Sequence, residues 1–315
     1  EKKKVVFEST TDTEVIPHLL NLSIKNKNNF FDSCVEVINK IEGAYAFAAI
    51  ESSKDQIFVS RKTSPLVLGL GDGFKVVGSD AQSISQIVSE VIYLDDGDYA
   101  FLSASKVEIF DKNNNEVDRK KINITSNINF LNKDGFKHFM EKEIHQQPSV
   151  LINTISSLIQ KDVDINISPE KLNIKENHGI TICAAGTSHY AAMVGKYWIE
   201  KFASIPVNVE LSSEYRYRNP VNTMYSSMIV ISQSGESIDT LMAMREAKRL
   251  NLKTTAIINV ENSTIDREAD YSIYTNVGPE VGVASTKSFT SQLIVLLSIA
   301  MKIALFNNKI NTVYY

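Results

Sequence analysis

The sequence has few of the residues that mark metal sites, disulfide frameworks or nucleic-acid interfaces. It contains 2 cysteines and 5 histidines, and neither type recurs at a spacing typical of metal ligands. Because Cys34 and Cys183 lie far apart, we expect free thiols in a reducing, cytoplasmic compartment. The formal net charge is -4 and the pI is about 5.8, whereas nucleic acids select a basic surface. We therefore predict no metal ion and no nucleic-acid partner.

Nucleotide-binding fingerprints and long hydrophobic runs are also absent. No GxGxxG follows a predicted strand, which disfavours a dinucleotide, and no GxxxxGK[ST] occurs, which excludes an ordinary P-loop ATPase. We expect no cofactor. The longest apolar run, residues 293–306, includes Ser298 and Lys302 and is shorter than the roughly 20 residues of a membrane span. This run predicts a buried helix and no membrane partner.

The first third of the chain shows the pattern of a mixed α+β domain. Residues 43–111 contain short apolar runs separated by Gly, Asp and Ser, which predicts antiparallel hairpins. Helical spacing predicts helices over residues 13–24, with Asp12 as N-cap, and over residues 31–41. Residues 112–134 turn polar and predict a last strand followed by a linker.

The rest of the chain predicts a doubly wound α/β domain. Residues 136–160 have helical spacing, and we expect Pro148 to open a second helix there at its first position. Further on, strands alternate with helices, and buried runs of Val and Ile between helices predict a parallel sheet covered on both faces. The predicted strands are 179–185, 207–213, 228–232, 254–260 and 271–277, and the predicted helices are 188–203, 237–250 and 286–305.

Three junctions between strand and helix place small residues and hydroxyls at a helix start. They are residues 184–192, 232–240 and 278–289. Helix N-termini expose N–H groups and the positive end of the dipole, which suits a phosphate. A single Ser or Thr at such a place is more often an N-cap, but all three junctions lie at strand ends, where ligands of such sheets bind. The pattern favours a phosphorylated sugar or a similar metabolite.

Charged residues near these junctions leave alternatives open. Lys287 would either neutralise a phosphate or lie on the surface. Glu236 begins a predicted helix, where the dipole favours its ionised form, and this predicts a structural role. Glu280 would act as a base, a cap or an ion-pair partner. Asp12 would bind a substrate amine, although capping is the better prediction on physical grounds.

Several motifs resemble the isomerising glutamine–fructose-6-phosphate aminotransferases, or glucosamine-6-phosphate synthases. AAGTS, SSEYRYR, ISQSGESIDT and GPEVGVASTKSFTSQL resemble the first sugar-isomerase (SIS) module of that family, and HFMEKEIHQQP resembles its connector. TDTEVIPHLL, GAYAFAAI, SPLVLGLG and IYLDDGDYAF resemble the second half of its N-terminal, Ntn-type glutaminase domain. The resemblance implies a partial glutamine amidotransferase domain over residues 1–124 and a connector with the first SIS domain over residues 125–315.

The resemblance also implies the site residues. Ser232, Ser234 and Ser237, with Gln233, match the hydroxyls of the phosphate loop in the family. The matching sugar contacts are Gly186, Thr187, Ser188, Val283 and Ser285. Asp12 matches the acid that holds the amino group of glutamine. The implied partners are fructose-6-phosphate or glucosamine-6-phosphate, glutamine in the full-length enzyme, and a second copy of the chain in a dimer.

The family's catalytic residues lie in parts that this sequence does not contain. Its glutaminase uses an N-terminal cysteine, whereas residue 1 here is Glu, and its second SIS module carries the catalytic glutamate, the ring-opening lysine and a histidine. We therefore expect no catalytic residue in this chain and read it as a fragment or split product of the transferase. The alternative is a stand-alone SIS module that binds or senses a sugar phosphate without catalysis.

Overall fold

The structure is a computed structural model that describes residues 5–26, 29–52, 54–124, 132–159, 164–174, 178–221 and 225–310. The chain divides into two compact units, Glu1–Ile128 and Asn129–Tyr315, and each is described by itself. The predicted linker includes residues 125–131, which lie outside the described residues. The assignment of the two domains by function stays a prediction.

Two antiparallel sheets and three helices form the described part of the first unit. The sheets have the strand orders β1-β2-β6-β7 and β4-β3-β5-β8. The helices are α1 (Val15–Lys25), α2 (Phe30–Ile38) and α3 (Ala81–Ile84). The strands are β1 (Tyr45–Ile50), β2 (Ile57–Lys62), β3 (Val67–Gly71), β4 (Phe74–Gly78), β5 (Glu90–Tyr93), β6 (Tyr99–Leu102), β7 (Val107–Phe110) and β8 (Lys121–Asn123).

Alternation along the strands builds the layers of this unit. Successive side chains of a strand point to opposite faces, so Phe58 and Phe101 pack with α1 and α2. Their neighbours Val59 and Ala100 pack with Leu68 of the second sheet. The first sheet therefore lies between helices α1 and α2 on one face and the second sheet on the other. The predicted mixture of helices and antiparallel strands is confirmed.

The start of α1 differs from the prediction. A 3₁₀ turn, Asp12–Glu14, precedes the helix, and the N-cap of that turn is Thr11, whose side chain accepts from Thr13 N–H. Asp12 lies inside the turn and caps nothing. The sequence did not separate the two because Thr and Asp are both good N-cap residues.

A five-stranded parallel sheet with the order β10-β9-β11-β12-β13 forms the centre of the second unit. Its helices are α4 (Phe139–Leu158), α5 (Pro169–Leu172), α6 (Gly186–Trp198), α7 (Ser212–Tyr215), α8 (Ile238–Arg249), α9 (Thr264–Glu268) and α10 (Lys287–Phe306), and a π-helical turn, Ile199–Ala203, extends α6. Its strands are β9 (Gly179–Ala184), β10 (Val207–Leu211), β11 (Tyr225–Ser232), β12 (Lys253–Ile258) and β13 (Tyr271–Tyr274).

Both faces of this sheet are covered by helices, as the sequence predicts. Ile229 and Ile231 of β11 pack with residues of α6 and α10, whereas Met228 and Val230 pack with residues of α8. The chain leaves β9 for β10 on one side and then returns to β11 on the other. The β9–β11 pair is therefore a topological switch point, where doubly wound sheets bind their ligands.

The connector is one helix and not two. Pro148 lies inside α4, although proline lacks the N–H that would donate to the carbonyl four residues earlier. That carbonyl belongs to Ile144, and the side-chain amide of Gln147 donates to it at 3.2 Å. This replacement bond compensates for the missing donor, so the helix continues through the proline.

The long C-terminal helix is a core helix. α10 has 20 residues and begins before the apolar run at residues 293–306. By length and composition it is long and apolar enough to cross a membrane. Val295, Leu296 and Ile299 are fully buried in the hydrophobic core of the second unit. The prediction of a buried helix is confirmed.

Candidate functional site

Two of the predicted site segments follow neighbouring strands of the parallel sheet. β9 and β11 are hydrogen-bonded partners, with Ala184 opposite Ile231. Residues 186–188 and 232–237 therefore begin at the same edge of the sheet, at the switch point. The candidate site lies at this edge, where β9 and β11 end.

The first segment opens α6. Gly186 has a φ of +56°, a conformation that favours glycine, and Thr187 next to it is exposed. Ser188 is buried, with 8% of its surface exposed. The N-cap residue is Ala185, which offers no side-chain cap, so the N–H groups of the first turn keep their donor capacity.

The second segment is a loop whose hydroxyls bond to the loop itself. Ser232 Oγ lies 3.0 Å from Ser237 Oγ and accepts from Gly235 N–H at 3.0 Å. Ser234 Oγ accepts from Glu236 N–H at 3.1 Å. A hydroxyl that accepts through a lone pair can still donate its own proton. The loop is therefore fixed before any ligand arrives, and Ser234 retains a proton to donate.

The N-cap residue of α8 does not cap the helix with its side chain. Ser237 occupies the N-cap position but makes no side-chain cap bond, because its hydroxyl is directed to Ser232. The simple N-cap interpretation of this serine is therefore wrong. α6 and α8 both present the positive end of the helix dipole at one edge of the sheet, which is suited to an anion.

Gly235 and Glu236 hold the loop against α9. Gly235 has a φ of +68°, and a Cβ there would lie 1.9 Å from Ser263 Oγ. Its carbonyl accepts from Ile265 N–H at 3.0 Å. Glu236 Oε1 accepts from Thr264 N–H at 2.8 Å, so its carboxylate has the structural role that the sequence predicts.

The third segment differs from the other two. Glu280 Oε1 accepts from the N–H groups of Thr286 at 2.8 Å and Ser288 at 3.3 Å, so a carboxylate already occupies the N-terminus of α10. Glu280 Oε2 accepts from Ser285 Oγ at 3.2 Å. Val283, in the same loop, is fully exposed. The structure therefore settles Glu280 as a cap.

Asn259 links the second and third segments. Its N–H donates to Gln233 O at 3.2 Å. Its side chain accepts from Val277 N–H and donates to Gly278 O, both at 2.9 Å. Asn259 does not stand out in the sequence because the pattern predicts one strand over residues 254–260, whereas β12 ends at Ile258. An amide side chain at the end of an apolar run is the signal that could have found it.

Lys287 is buried, and its ammonium group bonds to α4. It has 4% of its surface exposed, and its Nζ donates to Gln146 Oε1 at 3.0 Å. Burial lowers its pKa below the ordinary value, while the charges of Glu143 and Glu280 raise it. The surface alternative drawn from the sequence is therefore wrong, the phosphate alternative stays a prediction, and Lys287 connects α10 to α4.

Asp12 belongs to the first unit. It is exposed, and its Oδ1 accepts from Thr13 Oγ1 at 3.4 Å. That unit also contains a cleft of about 260 Å³ that does not include Asp12. The cleft is lined by Ile38, Asn39, Tyr45, Lys62, Asp96, Gly97, Tyr99, Lys112 and Asn114. Among the residues that the structure describes, no three His, Cys, Asp or Glu side chains cluster as metal ligands would.

Comparison with known proteins agrees with this architecture. Residues 173–302 match the SIS domain family, and residues 1–86 match the glutamine amidotransferase domain family. The glutamine–fructose-6-phosphate aminotransferase [isomerizing] of Clostridium tetani is 41% identical over 302 residues, which are 95% of this chain and 49% of that protein. The enzyme of the same name from Chlorobaculum tepidum is 42% identical over 306 residues, which are 95% of this chain and 50% of that protein.

The chain is a homologue of the isomerising glutamine–fructose-6-phosphate aminotransferases. Among solved structures, the C-terminal domain of glucosamine-fructose-6-phosphate aminotransferase from Francisella tularensis has 43% sequence identity and a TM-score of 0.54, and the match covers 57% of this chain and 51% of that one. The resemblance drawn from the sequence motifs is confirmed. The chain spans about half the length of the curated relatives that it matches.

Proposed function

We propose that this chain binds fructose-6-phosphate or glucosamine-6-phosphate at the shared edge of β9 and β11. One observation carries the proposal: α6 and α8 start at neighbouring strands, and neither start is capped by the side chain of its N-cap residue. Two such N-termini attract a dianionic phosphate. Ser234 adds a hydroxyl proton, and a hydroxyl suits both phosphate and sugar oxygens. The proposed contacts are Gly186, Thr187, Ser188, Ser232, Gln233, Ser234, Ser237, Val283 and Ser285.

The chain then forms part of a cytoplasmic transferase that makes glucosamine-6-phosphate from fructose-6-phosphate and glutamine. Its relatives carry that transferase name. The first unit, with Asp12, contributes to the glutamine site, and the assembled enzyme is a dimer. The chain alone is inactive in this proposal, because none of the proposed contacts is a base positioned for proton transfer at the sugar.

A stand-alone SIS module that senses a sugar phosphate is the second candidate. The match of residues 1–86 to the glutamine amidotransferase domain favours the transferase, because a sensor has no use for that segment. Coding sequence for the rest of the transferase directly before and after this segment would support the first candidate. Its absence from the genome on both sides would support the sensor.

Titration calorimetry with fructose-6-phosphate tests the site. Gly235→Ala introduces a Cβ into a left-handed conformation and against Ser263 Oγ, so the loop must shift, and we expect affinity to fall by about tenfold or more. Gly73→Ala is the matched control, since Gly73 also has a positive φ but nothing lies within 4 Å of its added Cβ. Equal affinities in the two variants would reject the loop as the phosphate site.

A further inference from the structure

Glu143 of α4 is a buried carboxylate that bonds to the backbone of a distant loop. It has 2% of its surface exposed. Its Oε1 accepts from Val281 N–H at 2.6 Å and from Gly282 N–H at 3.1 Å. Its Oε2 also accepts from Gly282 N–H, at 3.2 Å. The carboxylate thus joins α4 to the loop between β13 and α10, which lies more than a hundred residues later in the chain.

The loop is shaped to receive this carboxylate. Successive backbone N–H groups that converge on one point form a concavity for anions. A Cβ on Gly282 would lie 2.5 Å from Glu143 Oε2, so the close approach requires glycine at that position. Burial of a carboxylate is costly unless hydrogen bonds compensate for the lost hydration. The loop conformation and the burial of Glu143 therefore depend on each other.

The neighbouring lysines make their direct contacts with other groups, although the charge of Glu143 also raises the pKa of Lys287. Lys142 Nζ lies 2.8 Å from Asp134 Oδ2, and Lys287 Nζ donates to Gln146 Oε1. The direct hydrogen bonds of the Glu143 carboxylate run to the loop amides. Its role in the described structure is therefore to hold the loop.

The two residues held by Glu143 immediately precede a proposed sugar contact. Val283 is fully exposed, so packing of its side chain does not fix the loop there. The loop is fixed on either side instead, by Glu143 at residues 281–282 and by Glu280 at residues 285–286. A loop anchored on both flanks can present its tip in one conformation.

We propose that Glu143 is a positioning residue for the sugar end of the site. This inference rests on the proposed function. Glu143 holds residues 281–282 so that Val283 and Ser285 meet the sugar, and it does not contact the ligand itself. The phosphate end, at residues 232–237, is fixed by its own hydrogen bonds and is independent of Glu143.

A double-mutant cycle on the full chain tests whether Glu143 affects the sugar end of the site and not the phosphate end. Kd values for fructose-6-phosphate and for inorganic phosphate are measured for wild type, Glu143→Gln, Glu143→Ala, Ser285→Ala and the double variant Glu143→Ala with Ser285→Ala. Residues that act through one another give non-additive effects. Glu141→Gln is the matched control, since Glu141 is an exposed glutamate of the same helix.

We expect Glu143→Ala to weaken fructose-6-phosphate binding by about 5- to 30-fold, the range for loss of one or two good hydrogen bonds. Glu143→Gln keeps an acceptor oxygen and should lie between wild type and Glu143→Ala. Binding of inorganic phosphate should be unchanged in all variants. In the Glu143→Ala background, Ser285→Ala should add little, because the loop is already displaced. Amide exchange at Val281 and Gly282 should rise in Glu143→Ala.

The other possible results distinguish a failure of the inference from a failure of the proposed function. If wild type binds fructose-6-phosphate and Glu143→Gln and Glu143→Ala bind it equally well, the inference is wrong while the proposed function stands. Equal weakening for fructose-6-phosphate and inorganic phosphate would show a general loss of structure and also reject positioning. If wild type binds neither probe, the proposed function is rejected and the inference with it. Should Glu143→Ala fail to fold, Glu143→Gln decides the comparison.

Discussion

The carboxylate of Glu236 and the backbone N–H of Thr264 form a hydrogen bond of 2.8 Å. This bond ties residues 232–237, the serine loop, to the first residue of α9. Glu280 is engaged in a similar way at the start of α10. The two carboxylates closest in sequence to the proposed contacts thus each accept from backbone donors through one oxygen.

We predict that the chain binds fructose-6-phosphate without isomerising it. Moving a proton between C1 and C2 requires a base within hydrogen-bond reach of the carbon, and one oxygen of each carboxylate is engaged by backbone N–H groups. Purified chain incubated with the sugar phosphate in deuterated water should incorporate no deuterium at C1 or C2. Incorporation that is lost in Glu236→Gln or Glu280→Gln would overturn this prediction.

Both thiols should be unreactive in the folded chain. Cys34 and Cys183 are fully buried, and burial raises the pKa of each thiol from 9.0 to about 12. The thiolate is the reactive form, so iodoacetamide at pH 8 should label neither residue until the chain is unfolded in urea. Glutamate release from glutamine that Cys34→Ala abolishes would contradict this.

The same pKa shifts predict a loss of stability at high pH. Below pH 9 both thiols are protonated in the folded and the unfolded states, so they contribute no pH dependence. Between about pH 9 and 12 the unfolded thiols ionise while the folded ones stay protonated. The free energy of unfolding should then fall by up to about 1.4 kcal/mol per pH unit for each thiol. Urea titrations of wild type and Cys183→Ala at pH 8 and pH 10.5 measure the difference, and an equal pH dependence in both would contradict the prediction.

Asp98 should contribute strongly to the stability of the first unit. It has 1% of its surface exposed and forms a bidentate pair with Arg119, at 2.8 and 2.9 Å. Asp98 also accepts from Asp95 N–H at 2.8 Å. Arg119 is 24% exposed and keeps Asp95 as a partner, so Asp98→Ala should cost about 2 kcal/mol, the cost of losing hydrogen bonds to a buried carboxylate. Asp95 pairs with the same guanidinium at 3.2 Å but its side chain is 63% exposed, so Asp95→Ala should cost about 1 kcal/mol or less. Urea denaturation compares the two, and equal losses would contradict the account.

The sequence predicts most of the second unit because its signals are local. Buried runs of Val and Ile alternate with helical spacing, and the observed strands and long helices follow that pattern. The departures occur where the side chain of the preceding residue changes the local outcome. Pro148 should open a second helix, but Gln147 supplies a donor to the freed carbonyl and α4 continues through the proline. Asp12 should cap α1, but Thr11 instead caps the 3₁₀ turn that precedes it.

The supports of the site are harder to predict because they join distant parts of the chain. Glu143 meets Val281 only after α4 and the loop have folded onto one another, and no spacing in the sequence encodes that contact. The serine loop could be identified from the sequence because its small polar residues follow an apolar run directly. Its internal bond between Ser232 and Ser237 depends on how the loop folds and cannot be predicted from the order of the residues.

The affinity of Ser234→Ala for fructose-6-phosphate tests the central claim most directly. Ser234 Oγ accepts from Glu236 N–H and retains a proton for the phosphate. Calorimetry should show wild-type binding and a loss of about 1 to 3 kcal/mol in Ser234→Ala, as expected for a hydrogen bond to a charged group. Ser149→Ala, on the exposed surface of α4, should bind like wild type. Unchanged affinity in Ser234→Ala would contradict the assignment of this loop to the phosphate.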